Sequence, residues 1–186
     1  MRKISLFVAI AILAACNSGT NESNTGTATT SGAGSEKQES LNYPFTASYS
    51  SDFEIGSTKN VQTLLNVYQH WDNNVLDKAI PSFAENDTIF FADGGMFAGS
   101  RDSLFAVAKK MREPLGMLID SIHAWVPLRS KDKKEDWVIV WTRQISTDAQ
   151  GKRTATELQE TWRFDKNGKI NLMYQYAQQP PRMPKK

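Results

Sequence analysis

Residues 161–176 read TWRFDKNGKINLMYQY. Apolar and polar residues alternate on both sides of Asp165-Lys166-Asn167-Gly168-Lys169. Alternation with a period of two marks a strand with one buried face, and a short glycine-bearing loop between two such runs marks a hairpin. A three-residue loop with Gly168 in the left-handed conformation fits the spacing. It sets Phe164 opposite Ile170, Trp162 opposite Leu172, Glu160 opposite Tyr174 and Leu158 opposite Tyr176.

Upstream, the runs 117–129, 137–147 and 153–164 are rich in β-branched and aromatic residues, with turn-like connections between them. They predict an antiparallel meander ending in the hairpin. Its register sets Trp141 opposite Leu158, Ile139 opposite Glu160 and Trp137 opposite Trp162, and brings Ile119, Ser121, His123 and Trp125 to the same face. That face gathers the rings of Trp125, Trp137, Trp141, Trp162 and Phe164 around a few polar groups: Ser121, His123, Arg143, Glu160 and the Tyr174 hydroxyl. A slip of one residue in any hairpin would send that strand's set to the other face.

Helices precede the meander. Val61, Leu64, Leu65, Tyr68, Trp71 and Val75 fall at helical spacing, so 58–73 reads as an amphipathic helix capped by Ser57 or Thr58. A second helical piece covers 76–83, interrupted at Pro81, and a short strand covers 88–92. Asp93-Gly94-Gly95 is a turn, and Ser100 caps a helix from Arg101 to about Met111. Helices first and an antiparallel meander after them give the class α+β.

The N-terminus addresses the chain. Arg2 and Lys3 precede an apolar run, Ile4 to Leu13, that stops at Ala14-Ala15-Cys16. This is the pattern of a secretory signal, and the run is too short for a permanent span of about 20 residues. Residues 1–15 are read as signal peptide. Leu13-Ala14-Ala15-Cys16 resembles the lipobox of bacterial lipoproteins, which implies acylation of Cys16 and a lipid bilayer as partner. The domain would then sit in the cell envelope, in the periplasm or at the cell surface. Cys16 is the only cysteine, so no internal disulfide forms. Removal of Arg2 and Lys3 takes the 22 basic residues to 20, equal to the 20 acidic ones. A neutral chain without a basic face gives no reason to expect nucleic acid. Residues 16–57 read as the lipidated cysteine and a Ser/Thr/Gly/Asn tether ending in a short packing arm (Leu41, Tyr43, Phe45, Tyr49, Phe53). Residues 58–178 read as one domain and 179–186 as a disordered tail.

The segment 67–104, VYQHWDNNVLDKAIPSFAENDTIFFADGGMFAGSRDSL, resembles the first half of a nuclear transport factor 2-like domain of the SnoaL-like branch. The resemblance rests on Tyr68, Trp71, Asp72, Leu76-Asp77, Asp87, Asp93-Gly94 and Gly99 in their order, together with a closing hairpin at 161–176. It implies a curved sheet wrapped around a helix as a cone, an apolar pocket on the concave face, and a homodimer through the convex face. Val138, Val140, Ile122 and Ala124 would supply contacts there. The family hosts isomerases, dehydratases, cyclases and epoxide hydrolases as well as inert binding modules, and the catalytic sets of its enzymes are not matched here.

The candidate chemistry is therefore read from the residues. Glu160 among apolar neighbours would have its pKa raised by desolvation, which suits proton transfer; it could equally pair with Arg143 or His123. Tyr174 and His123 are candidate partners in an acid–base set, although a lone histidine on a half-apolar strand also serves as hydrogen-bonded core. The pocket wall is expected from Trp71, Trp125, Trp137, Trp141, Trp162, Phe164 and Arg143. His70 reads as a rim residue and Asp93 as a turn residue. The two histidines are not spaced as ligands, so no metal is expected, and no fingerprint calls for a cofactor. The leading expectation is a membrane-tethered pocket for a small apolar or aromatic ligand or a partner segment. The alternatives are a cofactor-independent lyase, isomerase or cyclase, and a structural envelope module.

Overall fold

The computed structural model describes residues 42–179. The signal, Cys16, Leu41, most of the tether and the tail from 180 on lie outside the described residues.

The chain runs β1 (Phe53–Ile55), α1 (Thr58–Asp72), two 3₁₀ turns (Leu76–Lys78 and Ile80–Ser82), β2 (Phe83–Phe90), β3 (Met96–Ser100) and α2 (Arg101–Arg112). A further 3₁₀ turn precedes β4 (Met117–Ser130), β5 (Asp136–Thr147), β6 (Arg153–Phe164) and β7 (Ile170–Ala177). All seven strands form one sheet in the order β1-β4-β5-β6-β7-β2-β3. Among the described residues, only the β2–β7 strand pair is parallel. The class is α+β, as the order of elements predicts.

Local chemistry explains the helix starts. The Ser57 side chain accepts from the Lys59 N–H, and the Ser100 side chain accepts from the Ser103 N–H. Each satisfies one of the N–H groups a helix start leaves free. Asp102 in the first turn of α2 and Lys109, Lys110 and Arg112 in its last turn complement the helix dipole. Val61, Leu64 and Tyr68 turn one face of α1 into the core; Leu104 and Phe105 do the same for α2. Both helices pack on one side of the sheet, α1 over β4 and β5 and α2 over β2 and β3. Phe83 stands edge-on to Phe105 and Trp162 between them.

Two expectations change at this level. Strand 88–92 is longer, Phe83–Phe90, and β3 follows the Asp93 turn where none was expected. The packing arm is partly part of the sheet: Phe53–Ile55 pairs with Leu128–Ser130, and Tyr49 stands edge-on to Trp137 at 6.1 Å, while Phe45 is exposed.

The larger correction is register. Phe164 does lie opposite Ile170, but Arg163 then lies opposite Leu172, so Asn171 is an extra residue in β7. This bulge shifts the rest of the pair by one. Glu160 lies opposite Gln175 and Leu158 opposite Ala177. Between β5 and β6, Val140 lies opposite Glu160, Val138 opposite Trp162 and Trp141 opposite Gln159. The faces of β5 are thereby exchanged relative to expectation. Val138 and Val140 are fully buried in the core and cannot form a convex dimer surface; Ile122 packs against the same core, while Ala124 is exposed.

Candidate functional site

A cavity of about 340 Å³ lies between the helices and the sheet. From α1 it receives Val67, Tyr68 and Trp71, and from α2 Leu104, Phe105, Ala108 and Met111. The sheet contributes Ile89, Trp162 and Met173, together with four polar side chains: Asp120, Gln144, Glu160 and Gln175. These four sit on adjacent strands β4 to β7, and the pairs Asp120–Gln144 and Glu160–Gln175 are direct cross-strand neighbours. The result is a mostly apolar chamber with one polar wall, the general form of a small-molecule site.

Glu160 is buried and fully engaged. The Tyr68 hydroxyl and the Trp162 indole N–H (3.3 Å) donate to its Oε2. The Gln175 amide donates to Oε1 at 2.7 Å. The Gln175 carbonyl oxygen in turn accepts from the Ala92 N–H at 3.3 Å, which fixes the orientation of the amide. Burial raises the pKa of Glu160 and the three donors oppose the rise. Burial also drives the Tyr68 pKa well up, reinforced by Glu160, so Tyr68 keeps its proton.

Asp120 forms the second polar centre. Burial pushes its carboxyl up to about 8, with the adjacent Asp72 carboxylate adding to the rise and Gln144 opposing it. The Gln144 amide donates to Oδ1 at 3.3 Å, whereas Oδ2 is buried without a hydrogen-bond partner. Asp72 ends α1 and accepts the Asp120 N–H on both carboxylate oxygens, at 3.1 Å each. A carboxylate at a helix C-terminus opposes the dipole. Arg112 offsets this from behind: its guanidinium donates to the carbonyls of Trp71 (2.8 Å), Asp72 (2.9 Å) and Gly116 (2.8 Å). Gly116, at φ +62°, is the residue this corner requires, since a Cβ there would lie 2.2 Å from the Thr147 carbonyl oxygen.

Of the expected wall, Trp71 and Trp162 line the cavity. Phe164 is core beside it. Trp137 lies on the outer face under Tyr49 and the Arg163 guanidinium. Trp125 and Trp141 are exposed. Arg143 and His123 reach Glu157 on the outer face, each at 3.4 Å, rather than Glu160. His123 is the bulged residue of β4. Tyr174 pairs with Thr161 and stacks on Phe90 with ring centroids 5.0 Å apart, so the hydroxyl that meets Glu160 is that of Tyr68. Asp93 accepts the Gly95 N–H as a turn residue.

Asp120, Gln144, Gln175 and Arg112 were not singled out from the sequence. Asp120 had a signal: Leu118 and Ile122 alternate with it on β4, so an inward Leu118 and Ile122 carry Asp120 inward as well.

The buried acids set the pH response. Asp87 is also buried, with neither carboxylate oxygen partnered, and burial raises it to about 7 against the pull of Arg101. The native chain thus holds protons on Asp87 and Asp120 that the unfolded chain releases near pH 4. Their contribution to stability is fully present below about pH 4, falls as pH rises from there, and is lost once pH has passed through about 7 to 8. Asp120→Asn is expected to reduce this decline by on the order of 2 kcal/mol, measured by urea denaturation near pH 5 and pH 8.5. An unchanged decline would contradict the burial of this acid.

No protein-family model and no curated protein matches the sequence. Solved structures do match. An NTF2-like protein of unknown function from Exiguobacterium sp. 255-15 superposes with a TM-score of 0.53 at 16% identity, over 63% of this chain and 99% of that one. One from Burkholderia pseudomallei K96243 gives 0.54 at 16% identity, over 66% and 92%. A putative SnoaL-like polyketide cyclase from Shewanella denitrificans OS-217 gives 0.54 at 11% identity, over 66% and 92%. Helices on one side of a seven-stranded, mostly antiparallel sheet, with this topology and these neighbours, make the fold NTF2-like.

Proposed function

We propose that this domain binds a small, largely apolar molecule with one hydrogen-bonding end, and that acylated Cys16 holds the domain at a membrane of the bacterial envelope. The observation that carries the binding reading is the cavity of about 340 Å³ whose apolar walls end at the side chains of Asp120, Gln144, Glu160 and Gln175. The fold itself hosts unrelated activities and decides nothing further.

Ala108 on α2 lines the cavity, so Ala108→Trp fills it from one wall. Native mass spectrometry of the full-length protein, purified from membranes, is expected to show a co-purifying small molecule that Ala108→Trp loses. Equal retention by the variant would refute the pocket.

The anchoring rests on the charge, length and small residues of positions 1–16. Each buried acyl CH₂ contributes about 0.8 kcal/mol, so several chains hold a protein firmly. Cys16→Ser is expected to abolish labelling by a fatty-acid analogue and to release the chain from the membrane fraction.

A second reading, cofactor-independent proton transfer of the lyase, isomerase or cyclase type, is favoured by Asp120. Its carboxyl, raised to about 8, can take or give a proton near neutral pH. Glu160 with Tyr68 would then polarise the substrate, in place of the Tyr174 or His123 expected from the sequence. Turnover of the co-purifying molecule that survives Asp120→Asn would exclude this reading.

A further inference from the structure

The polar wall of the cavity has an asymmetry of hydrogen-bonding capacity. The donors that converge there are the Tyr68 hydroxyl, the Trp162 indole and the amides of Gln144 and Gln175. Each is already directed at a carboxylate. The side-chain oxygen without a hydrogen-bond partner on this wall is Oδ2 of Asp120, buried beside the Asp72 carboxylate. Charge points the same way. Among the described residues, the ionisable acids on the wall are Asp120 and Glu160, and no lysine, arginine or histidine lines it. Arg112 stands behind the wall with its guanidinium spent on three backbone carbonyls. Asp72 adds a third carboxylate beside Asp120. The remaining walls offer the rings of Tyr68, Trp162, Phe83 and Phe105.

We propose that the ligand of this pocket is a small hydrophobic amine, whose ammonium group docks on Asp120 while its aromatic or aliphatic body fills the chamber between α1, α2 and Trp162. This rests on the pocket reading above and narrows it to a chemical class. An ammonium has donors and no acceptor, which suits a wall whose ionisable side chains are both acids, and its charge favours the ionised form of Asp120 on docking. It sits well among aromatic faces. It gives the Asp120–Asp72–Glu160 group a positive neighbour, which relieves the repulsion between acids crowded in a poorly solvated place. A carboxylate or phosphate ligand would meet a wall whose ionisable side chains are acids, with no cation lining the cavity, and a desolvated like-charge contact is strongly unfavourable.

Four probes of one shape test it: phenylpropylamine, phenylpropanol, phenylpropanoate and propylbenzene. Each is titrated by calorimetry into the full-length protein freed of its native ligand, at pH 7.5. The amine is expected to bind at least about tenfold more tightly than the alcohol, as a charge-assisted hydrogen bond allows, and the carboxylate not at all. Asp120→Asn is expected to bring amine and alcohol to within about threefold, with propylbenzene affinity unchanged. Alcohol, hydrocarbon or carboxylate binding as tightly as the amine would overturn the amine assignment and leave the pocket standing. Binding of none of the four would overturn both. An amine preference that persists in Asp120→Asn, with an unchanged circular dichroism spectrum, would overturn Asp120 as the docking group.

Discussion

Arg112→Met is expected to destabilise the domain by about 4 kcal/mol, because two backbone carbonyls lose a charged donor at about 1.5–3 kcal/mol each. Methionine keeps most of the aliphatic volume, so the loss is polar. The buried guanidinium caps the end of α1 and the turn before β4 at once, through the carbonyls of Trp71, Asp72 and Gly116. The Trp71 carbonyl retains the Asn74 N–H as a partner. Those of Asp72 and Gly116 lose the donor that reaches them from Arg112, and Asp72 and Asp120 lose the nearest positive charge. Urea denaturation measures the change. Lys109→Met is the control: Lys109 pairs with Asp77 at 2.6 Å but both are exposed, and such pairs contribute at most about 1 kcal/mol. Equal effects of the two substitutions would refute the role given to Arg112.

Glu160→Ala is expected to cost a similar amount, about 3–5 kcal/mol, because three buried donors lose their acceptor at about 1–3 kcal/mol each, and Glu160→Gln much less. Alanine leaves the Tyr68 hydroxyl, the Trp162 indole and the Gln175 amide without their shared acceptor inside the protein. Glutamine keeps one acceptor oxygen for Tyr68 and Trp162 but turns an amide toward the Gln175 amide, so one contact becomes donor against donor. Tyr68→Phe in the Glu160→Ala background should then cost little further, because the two residues act through one bond; a thermal-denaturation double-mutant cycle reads this coupling. Fully additive losses would show that the bond contributes nothing.

Much of this frame was legible in the residues. Helical spacing placed α1 within a residue of its end, Ser100 announced α2, and Gly168 announced the last hairpin, where it adopts φ +70°. Glu160 was recognisable as an acid enclosed by apolar neighbours. What failed was the distance between elements. Residues 137–141, Trp-Val-Ile-Val-Trp, are apolar on both faces, so alternation cannot say which face turns inward. The answer depends on one residue of loop length before β6 and on the bulge at Asn171, and neither leaves a compositional mark. The structure places the valines beneath α1 and the large rings outside. That exchange moved Trp137, Trp141 and Arg143 out of the expected site, and it brought Asp120, Gln144 and Gln175 in. A register error therefore costs little in the fold and nearly everything in the list of site residues.

The parallel pairing of β2 with β7 has a consequence for how the chain comes to be made. Phe90 finds Tyr174 as its neighbour only after more than half the domain has been synthesised. Until then the β2–β3 hairpin has no lateral partner on that side, and α2 rests on that hairpin, the Leu76–Lys78 turn and the end of α1. Closure of the ring of contacts awaits the last eight sheet residues, Ile170–Ala177. Such long-range closure makes for slow acquisition of the native state, and it keeps the nascent polypeptide threadable until its final segment has emerged. A chain ended by a nonsense codon before Ile170 would leave β2 and β6 as bare edges, a species prone to self-association.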